Sequence, residues 1–137
     1  MTTTSYAKPL PTVDDSNRPF WEAAREGHLM LQTCTDCNHV RYPLNHVCPV
    51  CLSDKFDWRA MSGKATVYSS IVFHQVYNQA FAADVPYNVS LIQLDEGPRM
   101  FSNVVGLAPS DVKVGDKVEV FFDPVTPDIS IPRFKPA

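Results

Sequence analysis

The spacing of apolar and polar positions divides the chain into an arm, a helix, an interrupted stretch and a run of strands. Residues 1–17 are polar with Pro9 and Pro11, and read as an extended arm with no core of its own. In "NRPFWEAAREG", Phe20, Ala23 and Ala24 fall on one face with Trp21 adjacent. Asn17 or Arg18 caps that segment, Pro19 sits in its first turn, Glu22 suits the positive helix end and Gly27 supplies the stop. A short amphipathic helix of about three turns follows. "HLMLQTC" alternates as a strand does. The pattern lapses from residue 34 to 51, then returns with period two. "KFDWRAMSGKATVYSSIVFH" has a turn near Ser62-Gly63 before a β-rich run. "PYNVSLIQLDEGPRMFSNVVG" is a hairpin that turns at Asp95-Glu96-Gly97-Pro98. After a turn at Val114-Gly115-Asp116, Val118, Val120 and Phe122 mark another strand, and "ISIPRFKP" closes with a short strand limited by Pro132.

The lapse in the pattern coincides with all four cysteines. Two residues separate Cys34 from Cys37, and two separate Cys48 from Cys51, while residues 38–47 separate the pairs. A Cys-x-x-Cys turn points two sulfurs at one spot, and a second such turn completes a tetrahedron of thiolates suited to structural Zn²⁺. Two such knuckles on short hairpins make a zinc ribbon, or rubredoxin-like module. Four thiolates fill the coordination shell, whereas a catalytic zinc needs an open position, so the site is expected to hold shape. Iron in the same sulfurs would instead make a one-electron carrier. His39 and His46 lie nearby and are expected to be exposed loop residues, because four thiolates suffice.

Composition narrows the classes. With 45% hydrophobic and 20% charged residues among 137, the chain can pack one ordinary domain, or two very small ones sharing a core. A net charge of −3 argues against general binding to a phosphate backbone. "MTTTSYAKPLP" has no basic start and no apolar stretch, and no apolar run approaches the ~20 residues that span a bilayer, so a cytoplasmic location is expected. In a reducing compartment four cysteines hold metal more readily than they form disulfides. The four or five strands after the ribbon suggest a small closed barrel, and the oligomer-binding (OB) barrel has that strand count. The expected fold is mainly β: an arm over 1–17, a helix and zinc ribbon over 18–60, and an OB-fold barrel over 61–137.

"RPFWEAAREGHLMLQTCTDCNHVRYPLNHVCPVC", followed by "GKATVYSSIVFH", "PYNVSLIQLDEG" and "VGDKVEVFF", resembles the DUF35 family over roughly residues 18–134. Tyr42-Pro43 between the knuckles and Cys48-Pro49 fit that family's pattern. The resemblance implies a helix, a rubredoxin-like ribbon and an OB-fold. It also implies an accessory subunit that docks on a thiolase-superfamily enzyme, a thiolase or related aldolase, and helps form its site for CoA or acyl-CoA. Other members join MaoC-type hydratases. Symmetric thiolase dimers would favour a heterotetramer with two copies of each chain.

The residues agree with a non-catalytic role. No Gly-x-Ser-x-Gly elbow or nucleotide-binding glycine pattern occurs, and the four cysteines are committed to metal. His74 is expected to be structural, and Asp95 and Glu96 to form a solvated turn. For a CoA ligand, Arg41 and Tyr42 on the ribbon offer charge and a flat apolar surface, and Arg59 and Lys64 flank the junction with the barrel. "FHQVYNQAFAADVPYN" is a long loop between strands, and Tyr77, Phe81, Pro86 and Tyr87 on it are candidates to line the pantetheine or acyl path. Two other classes stay open: a single-stranded nucleic-acid binder that stacks bases on barrel aromatics, which the acidic balance opposes, and the electron carrier.

Overall fold

In a computed structural model, which describes residues 6–137, the β-rich stretches form two antiparallel sheets joined by one core. The arm's first five residues lie outside the described residues. The helix α1 (Arg18–Arg25) starts after Asn17, carries Pro19 in its first turn and buries Phe20 and Ala24. It has eight residues, about two turns rather than three. Gly27, at φ +88°, ends it. There the N–H groups of Gly27 and His28 donate to the carbonyls of Ala24 and Ala23.

The first sheet is the ribbon's. Strand β1 (Met30–Cys34) lies between β2 (Val40–Arg41) and β3 (Phe56–Ala60). The alternation expected of β1 is absent from its burial, since Leu31, Gln32, Thr33 and Cys34 are all buried. Both faces are covered: Leu31 joins the hydrophobic cluster with Phe20 of α1, and Gln32 on the other face is held by Arg41 and Asn45 of the ribbon loop, so no solvent face is left for the pattern to report.

The second sheet has the order β6-β5-β4-β7-β8. Its strands are β4 (Lys64–Phe73), β5 (Tyr87–Leu94), β6 (Arg99–Ser102), β7 (Lys117–Pro124) and β8 (Ser130–Pro136). The β5–β6 hairpin turns where the sequence places it, between Leu94 and Arg99, and β5 alternates in burial without a break. A bulge between Val67 and Ser69 bends β4, so the sheet curls. The segment after β6 then meets β8 in parallel: the N–H of Phe134 donates to the carbonyl of Asn103 at 3.0 Å, and the N–H of Val105 to that of Phe134 at 2.8 Å. A five-stranded antiparallel sheet curled until its two ends meet in parallel is the OB topology.

Pro132 does not limit β8. The strand runs through it and pairs it with Phe122, because β8 is an edge strand within the sheet and loses no ladder donor there. Gly63 sits at the crossing into the barrel with φ +80°, and a Cβ there would come within 2.5 Å of Val120 Cγ1. Phe20, Leu29 and Leu31 pack with Val67, Ile92, Leu94 and Phe134 in one hydrophobic cluster. Helix and ribbon therefore rest on the barrel, and the aromatic face of α1 is used within its own chain.

Candidate metal centre and ligand cleft

The two Cys-x-x-Cys turns bring four sulfurs together. All four Sγ atoms lie within 4.8 Å of one another. Cys34 and Cys51 are 3.6 Å apart, as are Cys37 and Cys48. A tetrahedron with metal–sulfur bonds of about 2.3 Å has edges of about 3.8 Å, so the spacing suits a Zn²⁺ ion. Cys34 and Cys48 are buried while Cys37 and Cys51 face outward. Burial opposes ionisation of Cys34, but N–H bonds from Cys37 and Asp36 outweigh it and hold the thiol below its ordinary value. The N–H of Cys51 is the strongest influence on Cys48, followed by opposing burial and the N–H of Val50, and its thiol falls to about 6. Such N–H···S bonds favour thiolates, the form a metal needs, at these two positions. Backbone N–H bonds act the same way at Cys37 and Cys51, but burial and the neighbouring sulfurs outweigh them, pushing Cys37 up to about 12 and raising Cys51 as well. With four sulfurs on one ion no position remains for substrate. Neither His39 nor His46 belongs to the cluster.

Arg41 is not a surface residue. It is 2% exposed, donates from Nε to Gln32 Oε1 and from Nη2 to the Asn45 carbonyl, both at 2.9 Å, and stacks 4.7 Å from the Phe56 ring. The sequence marked its charge, but the charge braces the long ribbon loop against β1 and β3. Tyr42 is half-buried against the core, where burial raises its hydroxyl pKa. Both residues border a cleft of about 580 Å³ between the ribbon and the β5–β6 turn. Arg59 lies exposed on β3, 3.7 Å from Asp57, and Lys64 is exposed at the start of β4.

The long loop forms a different surface. Asn78 accepts from the N–H of Ala80 and starts a short 3₁₀ turn (Gln79–Phe81), which sets Phe81 5.8 Å from Tyr87. Phe73 packs 5.3 Å from Tyr87 and 5.8 Å from Tyr77, and Tyr77 is 74% exposed. Phe81, Pro86 and Tyr87 border a cleft of about 700 Å³ at one end of the barrel, whose far wall is Phe121, Ile131 and Leu107. The arm crosses it: Lys8 pairs with Asp84 at 2.7 Å and lies 5.5 Å above the Phe81 ring. The seven residues marked for CoA thus do not converge. Phe81 and Tyr87 border this cleft with Tyr77 beside them, Arg41 and Tyr42 border the other, and Arg59 and Lys64 border neither.

A polar network in the floor of the larger cleft was not foreseen. Asn88 Nδ2 donates to the Val104 carbonyl at 2.6 Å, and Asn88 Oδ1 accepts from the Val104 N–H at 2.8 Å. Asn103 Nδ2 donates to the Asn88 carbonyl, and Arg133 donates to Asn103 Oδ1 at 2.6 Å and to Asp123 Oδ2 at 2.8 Å. The signal was present in the sequence: Asn88 and Ser90 occupy inward positions of an alternating strand, where apolar residues belong.

Comparison with known proteins places these features in a family. A family model described as "ChsH2, rubredoxin-like zinc ribbon domain" matches residues 21–57, and "ChsH2, C-terminal OB-fold domain" matches 58–123. A DUF35 domain-containing scaffold protein of Methanocaldococcus jannaschii is 32% identical over 79% of this chain and 77% of its own. A probable enoyl-CoA hydratase alpha subunit of Thermomonospora curvata is 36% identical over 95% of this chain, which spans only 40% of that relative's length. Among solved structures, one described as "Ltp2-ChsH2(DUF35) aldolase" superposes with a TM-score of 0.83 at 35% identity, covering 93% of this chain and 98% of that one.

Proposed function

The chain belongs to the DUF35 family of zinc-ribbon and OB-fold proteins, and from that premise we propose that it is a non-catalytic accessory subunit that docks on a thiolase-superfamily enzyme, a thiolase or related aldolase, and helps form its acyl-CoA site. The observation that carries this reading is the match along nearly the whole chain to a solved ChsH2(DUF35) aldolase structure. Homologues are subunits of complexes with a partner protein. The sulfur cluster supports the non-catalytic part, since a closed shell of thiolates can fix a hairpin but cannot take up substrate. When bound, the zinc supplies a cross-link between the two knuckles.

The larger cleft suits the uncharged part of the ligand. Its volume, about 700 Å³, lies in the range of small-molecule sites, and its walls are aromatic and aliphatic with amide groups at the floor. Its cations, Lys8 and Arg133, are already paired with Asp84 and Asp123. We therefore assign the pantetheine and acyl parts to Phe81, Tyr87 and neighbouring Tyr77. The phosphates are assigned to the partner, since Arg59 and Lys64 border neither cleft. Assembly as two copies of each chain is the expected stoichiometry.

A second reading rests on the similarity to hydratase alpha subunits of Thermomonospora curvata and Mycobacterium tuberculosis. In it the partner is a MaoC-type hydratase and the role in binding acyl-CoA is the same. Purification at low salt, with mass spectrometry of all associated chains, separates the two. A stoichiometric thiolase-like chain supports the first reading and a hydratase-like chain the second. A chain recovered alone, or with nucleic acid, contradicts both.

A further inference from the structure

The two metal-binding turns share one backbone but not one side-chain logic. Asn38 and Leu52 each follow the second cysteine of their pair, and their N–H groups donate to the carbonyls of Cys34 and Cys48, both at 2.9 Å. Both residues have φ +65°. That left-handed conformation suits glycine or asparagine and strains a residue with a bulky side chain. The first turn has the favourable residue; the second has leucine. Nothing within the chain offsets the strain, because Leu52 is 76% exposed, and Val50 and Val47 beside it are 64% and 37% exposed. Exposed Asp36, His46, Asp54 and Lys55 stand on the same hairpins. An apolar centre with a polar rim is the anatomy of a protein interface, and a strained residue in such a place points to a use outside the chain.

We propose that the second knuckle is a docking tip and that Leu52 is its anchor, inserted into an apolar pocket of the catalytic partner subunit; this rests on the accessory-subunit reading above. The occupant follows from size and charge. Three such side chains fall far short of the about 800 Å² per partner of a standard interface, so two tips meeting each other would not hold a dimer. One aliphatic anchor entering a pocket, as part of a wider contact, is how binding energy concentrates. A membrane surface is disfavoured by the net charge of −3 and by a rim with no cluster of basic residues, since Lys55 stands there with Asp36 and Asp54. Cys48 and Cys51, joined through the metal, preorganise the tip and reduce the entropy lost on docking.

The test uses zinc-loaded full-length chain as wild type, Leu52→Asn and Val50→Ser. It measures melting temperature, bound zinc, and affinity by calorimetry for the thiolase-type subunit that copurifies with the wild type. Leu52→Asn relieves strain, so it is expected to melt about 3 °C or more higher, with zinc unchanged. It is also expected to bind the partner about tenfold or more weakly. Val50→Ser is expected to weaken binding with little change in melting. Opposite signs for stability and binding are what a merely structural leucine does not produce. A Leu52→Asn chain that binds as tightly as wild type overturns the docking tip and leaves the accessory role standing. So does one that melts lower and binds weakly in proportion. A wild-type chain that binds no thiolase-type subunit overturns both.

Discussion

Replacing Asn88 with alanine tests whether the seam of the barrel is held by the side-chain network beneath the larger cleft. Asn88 is 5% exposed and Val104, its main partner, 1%. Alanine leaves the Val104 N–H and carbonyl without their side-chain partner at a residue that is itself buried. Each such buried group costs about 1–3 kcal/mol. Ser90 also loses its bond to Asn88 at 3.0 Å, but keeps Ser70 at 2.9 Å, so its share is small. The Val105–Phe134 and Phe134–Asn103 backbone bonds remain and limit the loss. The expected destabilisation is about 2–5 kcal/mol, a large part of the about 5–15 kcal/mol that holds a domain together. Urea titration of the zinc-loaded chain, followed by tryptophan fluorescence and circular dichroism, measures it. Asn103→Ala, which removes one donor to the Asn88 carbonyl and leaves both Val104 groups paired with Asn88, should cost less. An Asn88→Ala chain within about 0.5 kcal/mol of wild type would mean that the seam stands on backbone pairing alone and that the side-chain network does not hold it.

Other substitutions probe other parts. Gly63→Ala should destabilise by about 2 kcal/mol or more, since it adds a Cβ at positive φ against Val120, and Val120→Ala in the same chain should recover part of the loss in a double-mutant cycle. Phe134→Ala, at a position with no exposed surface, should cost about 3–5 kcal/mol by equilibrium unfolding. Cys34→Ser, or removal of metal by a strong chelator, should abolish stoichiometric zinc and lose partner binding along with ribbon structure; a serine variant that stays folded, zinc-loaded and bound to its partner would contradict the structural role of the site. Tyr87→Ala should weaken acyl-CoA binding by the complex about tenfold or more with little change in phosphate-group recognition, read by comparing acyl-CoA with adenosine 3′,5′-bisphosphate as ligands.

The parts of this molecule written in local spacing were legible before any coordinates. The paired cysteines specified the cluster because a Cys-x-x-Cys turn fixes where its sulfurs point. The alternation from Asn88 to Leu94, with Gly97 after it, specified the β5–β6 hairpin. Long-range arrangements were not legible. Arg41 reads as surface charge, and only the closure of the ribbon around Gln32, Asn45 and Phe56 turns it into a buried brace. The alternation in "HLMLQTC" promised a half-exposed strand, but the core cluster on one face and the ribbon loop on the other left it buried. The network from Asn88 to Asp123 joins three strands far apart in sequence, so no local window contains it. The candidate ligand residues were chosen by chemical type one at a time, and the fold distributes them over separate surfaces.

On the proposed function, this chain completes the acyl-CoA site of a partner enzyme rather than catalysing a reaction itself. The most direct measurement is the partner's kcat/KM for its acyl-CoA substrate, with and without an equimolar amount of the zinc-loaded chain. The chain alone should show no turnover, and the partner should gain about a hundredfold or more when the chain is added, the size expected when binding groups remote from the chemistry position a substrate. A partner that is as active alone as in the complex, or a chain that turns over acyl-CoA unaided, would contradict that function.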